Sequence, residues 1–225
     1  MEATDGRIIL IDKPSGMTSF GVVARVRRQL SERAGKKVKV GHCGTLDPFA
    51  TGLLILVTGK QTKNAGEFMK KDKVYEATIR LGQVSTTGDP EGEISEHSHA
   101  QGRTLSKTVV DDVVKKFAGE ITQTPPMFSA IKINGQRAYK LARKGEVVEI
   151  PKRTVTIYSL ELLDYSYPEL RIRTHVSSGT YLRSLAIDIG EALGTGAYCS
   201  ELRRTKIADW DVADAESLID WGIGT

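Results

Sequence analysis

Two long runs in the C-terminal half of the chain set the strongest limit on its fold. They are TVTIYSLELLDYS (residues 154–166) and ELRIRTHVSSG (residues 169–179). The first is rich in β-branched residues and tyrosine, and the second contains the β-branched residues Ile172, Thr174 and Val176. They are predicted to be antiparallel partner strands. Further strand candidates precede them, and helical segments lie between the strand runs. The pattern predicts an α+β fold with a mixed, largely antiparallel central sheet flanked by helices.

The helical segments are identified by capping residues and apolar spacing. In TSFGVVARVRRQL (residues 18–30), Thr18 or Ser19 can cap a helix that has an apolar stripe. A second helix is predicted in SKTVVDDVVKKFAG, where Ser106 is the cap. A third is predicted in GTYLRSLAIDIGEALG. No linker-like stretch divides the 225 residues, so we expect residues 1–225 to form a single domain.

The cysteines and histidines do not suggest a metal site. Cys43 and Cys199 lie far apart in sequence and have no zinc-like spacing. His97 and His99 form an H-x-H pair in a polar, turn-rich segment without further ligands, which favours surface histidines. No GK[ST] ending or G-x-G-x-x-G run is present, so a nucleotide cofactor is not expected. We expect neither a metal nor a cofactor.

The charge distribution suggests a polyanion partner. The net charge is +4, and lysines and arginines cluster in residues 25–39, 69–73, 137–145 and 203–206, whereas the chain after Lys206 is acidic. Nucleic acid is the first candidate partner, although solvated helix faces would give a similar pattern. The start resembles no signal peptide, and the longest apolar run is far too short for a membrane helix. We therefore expect a cytoplasmic protein without a membrane partner.

The segment GHCGTLDPFATG (residues 41–52) is the most unusual in the chain, with His42, Cys43 and Asp47 between glycines. His42 and Cys43 are adjacent, and catalytic Cys–His pairs normally converge from distant segments, which argues against a cysteine nucleophile. Asp47 before Pro48 could simply initiate a turn. Alternatively, a rigid loop could present its carboxylate to a ligand as a nucleophile or proton acceptor. The residues alone leave both interpretations of Asp47 open.

Several segments together point to a known family. They are DKPSGMTS, GHCGTLDPFATGLLILVTGKQTK, KVYEATIRLGQVSTTGDPEGEI, TPPMFSAIKINGQRAYKLARKGEVVEIPKR, SSGTYLRSLAIDIGEALG and SELRRTKI. In these segments the chain resembles the TruB-type tRNA pseudouridine synthases, in the family's order and over nearly its whole length. The resemblance implies a pseudouridine synthase-like fold. It also implies an isomerase that converts the T-arm uridine 55 of tRNA to pseudouridine and requires neither a cofactor nor an obligatory protein partner.

The resemblance also implies roles for individual residues. Asp47 corresponds to the catalytic aspartate, and Arg183 to the arginine that pairs with it and keeps it ionised. Tyr75 corresponds to the tyrosine on which the extruded base stacks. Three further residues are implied to line the pocket or face the RNA: His42, Tyr181 and Leu202. Phosphate contacts are expected from basic residues that could equally be ordinary surface charges: Lys13, Lys63, Lys132, Arg137, Lys140 and Arg143.

The chain departs from the family pattern at Cys43 and at its C-terminal end. Cys43 stands where the family more often has a small or hydroxyl residue. Residues 122–152 correspond to an RNA-gripping insertion, which favours a stand-alone enzyme over a guide-RNA-dependent relative that modifies ribosomal RNA. A non-catalytic RNA chaperone of the same fold is a second rival, but Asp47, Tyr75 and Arg183 are all present. We expect no C-terminal PUA-like domain, because the sequence stops soon after the last catalytic-domain strand.

Overall fold

The computed structural model describes residues 6–98, 105–129, 131–133, 135–142 and 149–223, with only the backbone of residues 132, 133, 137, 139 and 140. The strands are β1 Ile8–Lys13, β2 Val40–His42, β3 Thr51–Thr58, β4 Lys73–Leu81, β5 Gln83–Ser85, β6 Ile94–Glu96, β7 Gly119–Gln123, β8 Lys132–Ile133, β9 Gln136–Arg137, β10 Arg153–Ser166, β11 Glu169–Val176, β12 Ala197–Ile207 and β13 Trp210–Asp211. The α-helices are α1 Ser19–Ala34, α2 Ala65–Met69, α3 Lys107–Lys115, α4 Ala138–Ala142 and α5 Leu182–Leu193. Two 3₁₀ helices cover Gly59–Asn64 and Val212–Asp214.

The central sheet is mixed, as predicted. Its strand order is β1-β3-β12-β4-β11-β10-β7, with β2 on β3 and β13 on β12. Strands β10 and β11 are antiparallel from Ile157↔Val176 to Ser166↔Glu169, which confirms the predicted partnership. Strand β12 pairs with β3 in parallel, whereas β1, β2 and β3 are antiparallel neighbours. The predicted α+β class is therefore confirmed.

The described chain forms two compact units. The first contains residues 6–75 and 203–223, and the second contains the described part of residues 76–202. In the first unit, helix α1 buries the predicted stripe against β1 and β3 through Val22, Val23, Val26 and Leu30. Thr18 caps α1 by accepting a hydrogen bond from the Gly21 N–H at 2.9 Å. This cap and stripe explain why the local sequence is sufficient to specify α1.

The second unit is built on the β10–β11 hairpin. Helix α3 is capped by Ser106, as predicted, and buries Val110 and Val114. Residues Leu170 and Ile172 of β11 are also buried, and they alternate with exposed neighbours as expected for a strand with one covered face. Strands β5 and β6 form a hairpin within the polar segment after β4. Within the expected RNA-gripping insertion, the described residues include the β8–β9 ribbon and α4, whereas Arg143 lies outside the described residues.

Among the described helices, none has the length and apolar character required to cross a bilayer.

Candidate active site

The loop between β2 and β3 carries Asp47 and is fixed by the segment before α1. The hydroxyl of Ser19 accepts a hydrogen bond from the Leu46 N–H at 2.8 Å and donates one to the Leu46 carbonyl at 2.9 Å. The Gly16 N–H donates to the Pro48 carbonyl at 2.9 Å, and the Ser15 hydroxyl donates to the Phe49 carbonyl at 2.9 Å. The backbone on both sides of Asp47 is therefore hydrogen-bonded to the segment in which helix α1 begins.

Lys13 is part of this support rather than of the protein surface. Its side chain is fully buried, and its ammonium donates to the carbonyls of Pro14 and Met17 at 2.7 Å and of Pro48 at 3.1 Å. A buried ammonium needs such partners, because water cannot solvate it. This burial contradicts the predicted phosphate contact of Lys13. The sequence shows a lysine beside a proline, and only the tertiary structure reveals that it points inward.

A second buried cation reaches the same loop from β12. The guanidinium of Arg204 donates to the Leu53 carbonyl at 2.8 Å, the Gly44 carbonyl at 3.1 Å and the Thr45 carbonyl at 3.5 Å. The parallel register places Arg204 beside Gly52. A Cβ atom on Gly52 would lie 2.3 Å from the Arg204 carbonyl oxygen, so only glycine fits here.

Asp47 itself is half-buried, and its carbonyl accepts a hydrogen bond from the Ala50 N–H at 3.2 Å. His42 ends β2 opposite Leu56 of β3 and is half-buried. The Cys43 side chain is fully buried, and burial raises the pKa of its thiol to about 11. A protonated, inaccessible thiol is a poor nucleophile, which agrees with the sequence-based argument against Cys43.

Tyr75 belongs to the same unit, on strand β4. Its side chain is buried, and it lies on the face of β4 opposite to the side chain of Glu76. The first unit thus contains the predicted site residues His42, Asp47 and Tyr75, together with Lys13 and Lys63.

In the second unit, the structure reveals a partner of Arg183 that the sequence reasoning missed. Arg183 is in the first turn of α5, and its Nη1 donates to Asp89 Oδ2 at 2.9 Å, with both side chains buried. Nη1 also donates to the Thr87 carbonyl at 3.0 Å, and Nη2 donates to the Phe128 carbonyl at 2.8 Å. The pairing of Arg183 with Asp47 that the resemblance implies stays a prediction.

Asp89 had a recognisable signal in the sequence. It stands in GDPEG, an Asp–Pro pair framed by glycines, as Asp47 does in its own loop. Its Oδ1 accepts hydrogen bonds from the Thr87 hydroxyl at 2.6 Å and from the Glu91 N–H at 3.0 Å. The carboxylate therefore both closes its own turn and neutralises Arg183.

Tyr181 precedes α5 and is held by a buried glutamine. Its N–H donates to Gln123 Oε1 at 3.1 Å, and Gln123 Nε2 donates to the Tyr181 carbonyl at 3.2 Å. The Arg153 guanidinium carbon lies 5.8 Å from the centre of the Tyr181 ring, within range of a cation–π contact. The start of α5 is thus fixed to β7, and Tyr181 and Arg183 both belong to this short stretch.

The other predicted contact residues lie in several elements. Leu202 is buried on β12 in the second unit. Lys63 is exposed in the last turn of the 3₁₀ helix that follows β3. Lys132 and Arg137 are register partners in the β8–β9 ribbon. Exposure of Lys63 is compatible with a phosphate contact, and the roles of all these residues stay predictions.

Comparison with known proteins identifies the family. Residues 28–182 match the model described as TruB family pseudouridylate synthase (N terminal domain), and residues 183–221 match that described as tRNA pseudouridylate synthase B C-terminal domain. The chain belongs to the TruB family. A curated tRNA pseudouridine synthase B from Phocaeicola vulgatus is 44% identical over 225 residues, covering 98% of this chain and 95% of that protein. One from Azoarcus sp. is 45% identical over 212 residues, covering 94% of this chain and 68% of that protein.

Solved structures of related proteins share this fold. The chain matches a protein from the crystal structure of a Cbf5–Nop10–Gar1 complex with a TM-score of 0.73 and 31% identity, over 98% of this chain and 54% of that chain. A second match, with a TM-score of 0.71 and 29% identity, comes from an H/ACA RNP bound to a substrate RNA containing 2′-deoxyuridine. The TruB-family chain spans about half the length of these solved chains.

Within the described residues, no group of three or more His, Cys, Asp or Glu side chains is arranged to hold a metal ion.

Proposed function

We propose that the chain isomerises uridine 55 in the T arm of tRNA to pseudouridine, with Asp47 as the nucleophile. The observation that carries this proposal is the anchored loop: the backbone of Leu46 and Pro48 is held on either side of Asp47. A fixed loop presents one carboxylate in one orientation, which is what a nucleophile requires. Membership of the TruB family and the high identity to tRNA pseudouridine synthases support the substrate assignment.

The proposed reaction begins with extrusion of the uridine from the folded arm, because its glycosidic bond is otherwise inaccessible. The Asp47 carboxylate then attacks either the sugar C1′ or the uracil ring, and the N1–C1′ bond breaks. The uracil turns and C5 bonds to C1′. The bond from Asp47 to the sugar or ring breaks, which returns the free carboxylate, the C5 proton is lost, and N1 takes up a proton. Product and substrate are isomers, so the reaction balances without a co-reactant.

The other site residues are proposed to hold the base and the charge. Tyr75 would stack on the extruded uracil, with His42, Tyr181 and Leu202 completing the pocket. Arg183 would keep Asp47 ionised. Because Arg183 is already paired with Asp89, its position is set before the RNA binds. Phosphate contacts would come from Lys63, Lys132 and Arg137.

The decisive experiment is incubation of the protein with unmodified tRNA, followed by mapping of pseudouridine at single-nucleotide resolution. The wild-type protein should modify uridine 55, whereas Asp47→Asn should bind tRNA without converting it. Asp209→Asn is a matched control, since Asp209 is an exposed acid in the same unit and should leave conversion unchanged. Conversion by Asp47→Asn at the wild-type rate would overturn the assignment.

Stacking on Tyr75 is tested separately. Tyr75→Leu should lower the conversion rate more than tRNA affinity, and Tyr75→Phe should retain most of the rate, because it keeps the aromatic face. An equal loss in both variants would remove the stacking role.

The rival function is guide-RNA-dependent modification of ribosomal RNA within a larger particle. It is less well supported. The curated tRNA pseudouridine synthases match most of this chain at 44–45% identity, whereas the chains solved in the Cbf5–Nop10–Gar1 complex and the H/ACA RNP match it at 29–31%. Conversion of a bare T-arm stem-loop without other proteins would exclude it, and would also exclude a purely chaperone function.

We propose that the chain works as this tRNA-modifying enzyme in the cytoplasm, without an obligatory protein partner.

A further inference from the structure

Arg204 is a buried arginine whose side chain donates to carbonyls of the Asp47 loop and of the start of strand β3. Its side chain is 1% exposed, and its three hydrogen bonds are to the carbonyls of Gly44, Thr45 and Leu53. Among the residues that the structure describes, no carboxylate forms an ion pair with it. Those three carbonyls flank Asp47, two before it and one after it.

A gain in stability alone does not explain this arrangement. Removing a guanidinium from water has an effective penalty of several kcal/mol, and a buried charge is normally compensated by an opposite charge. Among the described residues, the groups that compensate Arg204 are carbonyl dipoles. An apolar side chain of similar volume would avoid the penalty, which suggests that the guanidinium serves the shape of the loop.

The geometry of the contact explains why an arginine is suited to this place. The guanidinium is a planar, rigid fork, so its Nε can hold the Leu53 carbonyl while its two terminal nitrogens hold Gly44 and Thr45. Both ends of the Asp47 loop are thereby fixed to one side chain. A lysine ammonium keeps the charge, but it is a compact group that lacks this fork.

Close backbone packing provides a second, independent constraint. Gly52 has φ +100°, and its Cα faces the backbone of Arg204 so closely that a Cβ would lie 2.3 Å from the carbonyl oxygen and 2.8 Å from the nitrogen. Strand β12 therefore lies directly against the end of the loop, in the register Arg204↔Gly52. The packing of this strand against Gly52 therefore fixes the backbone point from which the Arg204 side chain extends.

We infer that Arg204 is a positioning residue for the isomerisation: it holds the carbonyls on both sides of Asp47 and thereby sets where the carboxylate stands. Arg204 itself does not touch the substrate. The inference rests on the proposed function. It assigns to an arginine of β12 a support for the nucleophile in addition to the contacts from Lys13 and Ser19. Loss of its fork is expected to act on the chemical step and not on tRNA affinity.

The test compares Arg204→Lys and Arg204→Gln with the wild-type protein. The single-turnover rate of pseudouridine formation should fall by about 10- to 100-fold, because a displacement of about 1 Å at a reacting group has effects of this size. The dissociation constant for tRNA should stay within about threefold, since no phosphate contact is removed. Arg204→Gln also removes the buried charge and its desolvation penalty. It is therefore the variant to measure if Arg204→Lys does not fold.

Lys73→Met is the matched control. Lys73 is a buried cation in the same unit that also donates to backbone carbonyls, those of Met69 and Lys71, but these lie outside the Asp47 loop. Its substitution should alter stability and leave the single-turnover rate unchanged. Amide hydrogen exchange should accelerate in residues 43–53 of the Arg204 variants and not in Lys73→Met.

Three results would overturn the inference. The first is a wild-type rate in a folded Arg204 variant. The second is a loss of rate that is no larger than the loss of folded protein in the same variant. The third is rapid exchange of residues 43–53 in the wild-type protein, which needs no variant to measure. If instead the wild-type protein forms no pseudouridine, the proposed function fails, and the exchange measurement still decides whether Arg204 fixes the loop.

Discussion

The buried pair of Arg183 and Asp89 allows a quantitative test of the second unit. Asp89→Asn keeps the shape of the side chain and removes its charge, which leaves Arg183 buried without compensation. The asparagine amide has two possible orientations. If its oxygen takes the place of Oδ1, it still accepts from Thr87 and Glu91, but its nitrogen, which is a donor, faces the guanidinium of Arg183. If its oxygen takes the place of Oδ2, it still accepts from Arg183, but Thr87 and Glu91 lose their acceptor.

Either orientation is costly. Breaking a buried ion pair by removing one partner typically lowers the free energy of unfolding by about 3–5 kcal/mol. For a chain of this length, that loss corresponds to a decrease of about 6–20 °C in the melting temperature. In an Arg183→Met background, the same Asp89→Asn change should cost much less, because no guanidinium is then left uncompensated.

The assay is urea-induced unfolding followed by far-ultraviolet circular dichroism, with wild-type and variant measured at the same pH. Glu169→Gln is the control, since Glu169 pairs with Arg80 at 3.1 Å where both side chains are substantially exposed. Exposed pairs contribute about 0–1 kcal/mol. A loss below about 1 kcal/mol for Asp89→Asn, or one equal to the control, would refute the argument that burial makes this pair important.

Three further predictions follow from buried titratable groups. Burial and the nearby charge of Arg204 lower the pKa of Lys73 from 10.5 to about 8. The unfolded chain therefore binds this proton more tightly than the folded protein does. As the pH increases from about 8 to 10.5, the free energy of unfolding should rise by about 3 kcal/mol. Lys73→Met should lack this rise in urea titrations. Burial and the charge of Glu191 raise the pKa of Asp188 to about 6, so its ionisation opposes folding as pH increases from 3.8 to 6. Asp188→Asn should therefore stabilise the protein by about 1–3 kcal/mol at pH 7 and not at pH 3, as measured by urea unfolding. Cys43, with a pKa raised by burial to about 11, should be alkylated by iodoacetamide at pH 8 only when the protein unfolds, and mass spectrometry showing rapid labelling of the native protein would contradict this.

The sequence was sufficient for features that depend on local patterns. The cap at Thr18 and the apolar stripe of α1 are encoded within one helix, and the β10–β11 hairpin is encoded by two neighbouring runs. The turn that carries Asp47 was also predictable, because glycine permits backbone conformations that other residues avoid and proline fixes its own φ. The family resemblance then assigned a role to Asp47 that local physics had left open.

The sequence was not sufficient for the buried cations. Lys13 was predicted to contact phosphate, and Arg204 was not singled out, because lysine and arginine are usually exposed. Their burial depends on carbonyl groups contributed by other segments, such as Pro48 for Lys13 and Leu53 for Arg204. No composition or spacing rule encodes the direction of those carbonyls. The same reason applies to Asp89, whose partner Arg183 lies 94 residues away.

The attachment of the Asp47 loop to both ends of the sequence has a consequence for biosynthesis. The contact between Gly44 and Arg204 spans 160 residues, whereas that between Lys13 and Pro48 spans 35. Chains emerge from the ribosome N-terminus first, and long-range contacts form late, because a large loop must close before they are gained. A nascent chain can therefore assemble β1, α1 and β3 while the loop that carries Asp47, the proposed nucleophile, still lacks its contact with β12. Competence for the proposed reaction would then require that β12 has been synthesised and has paired with β3.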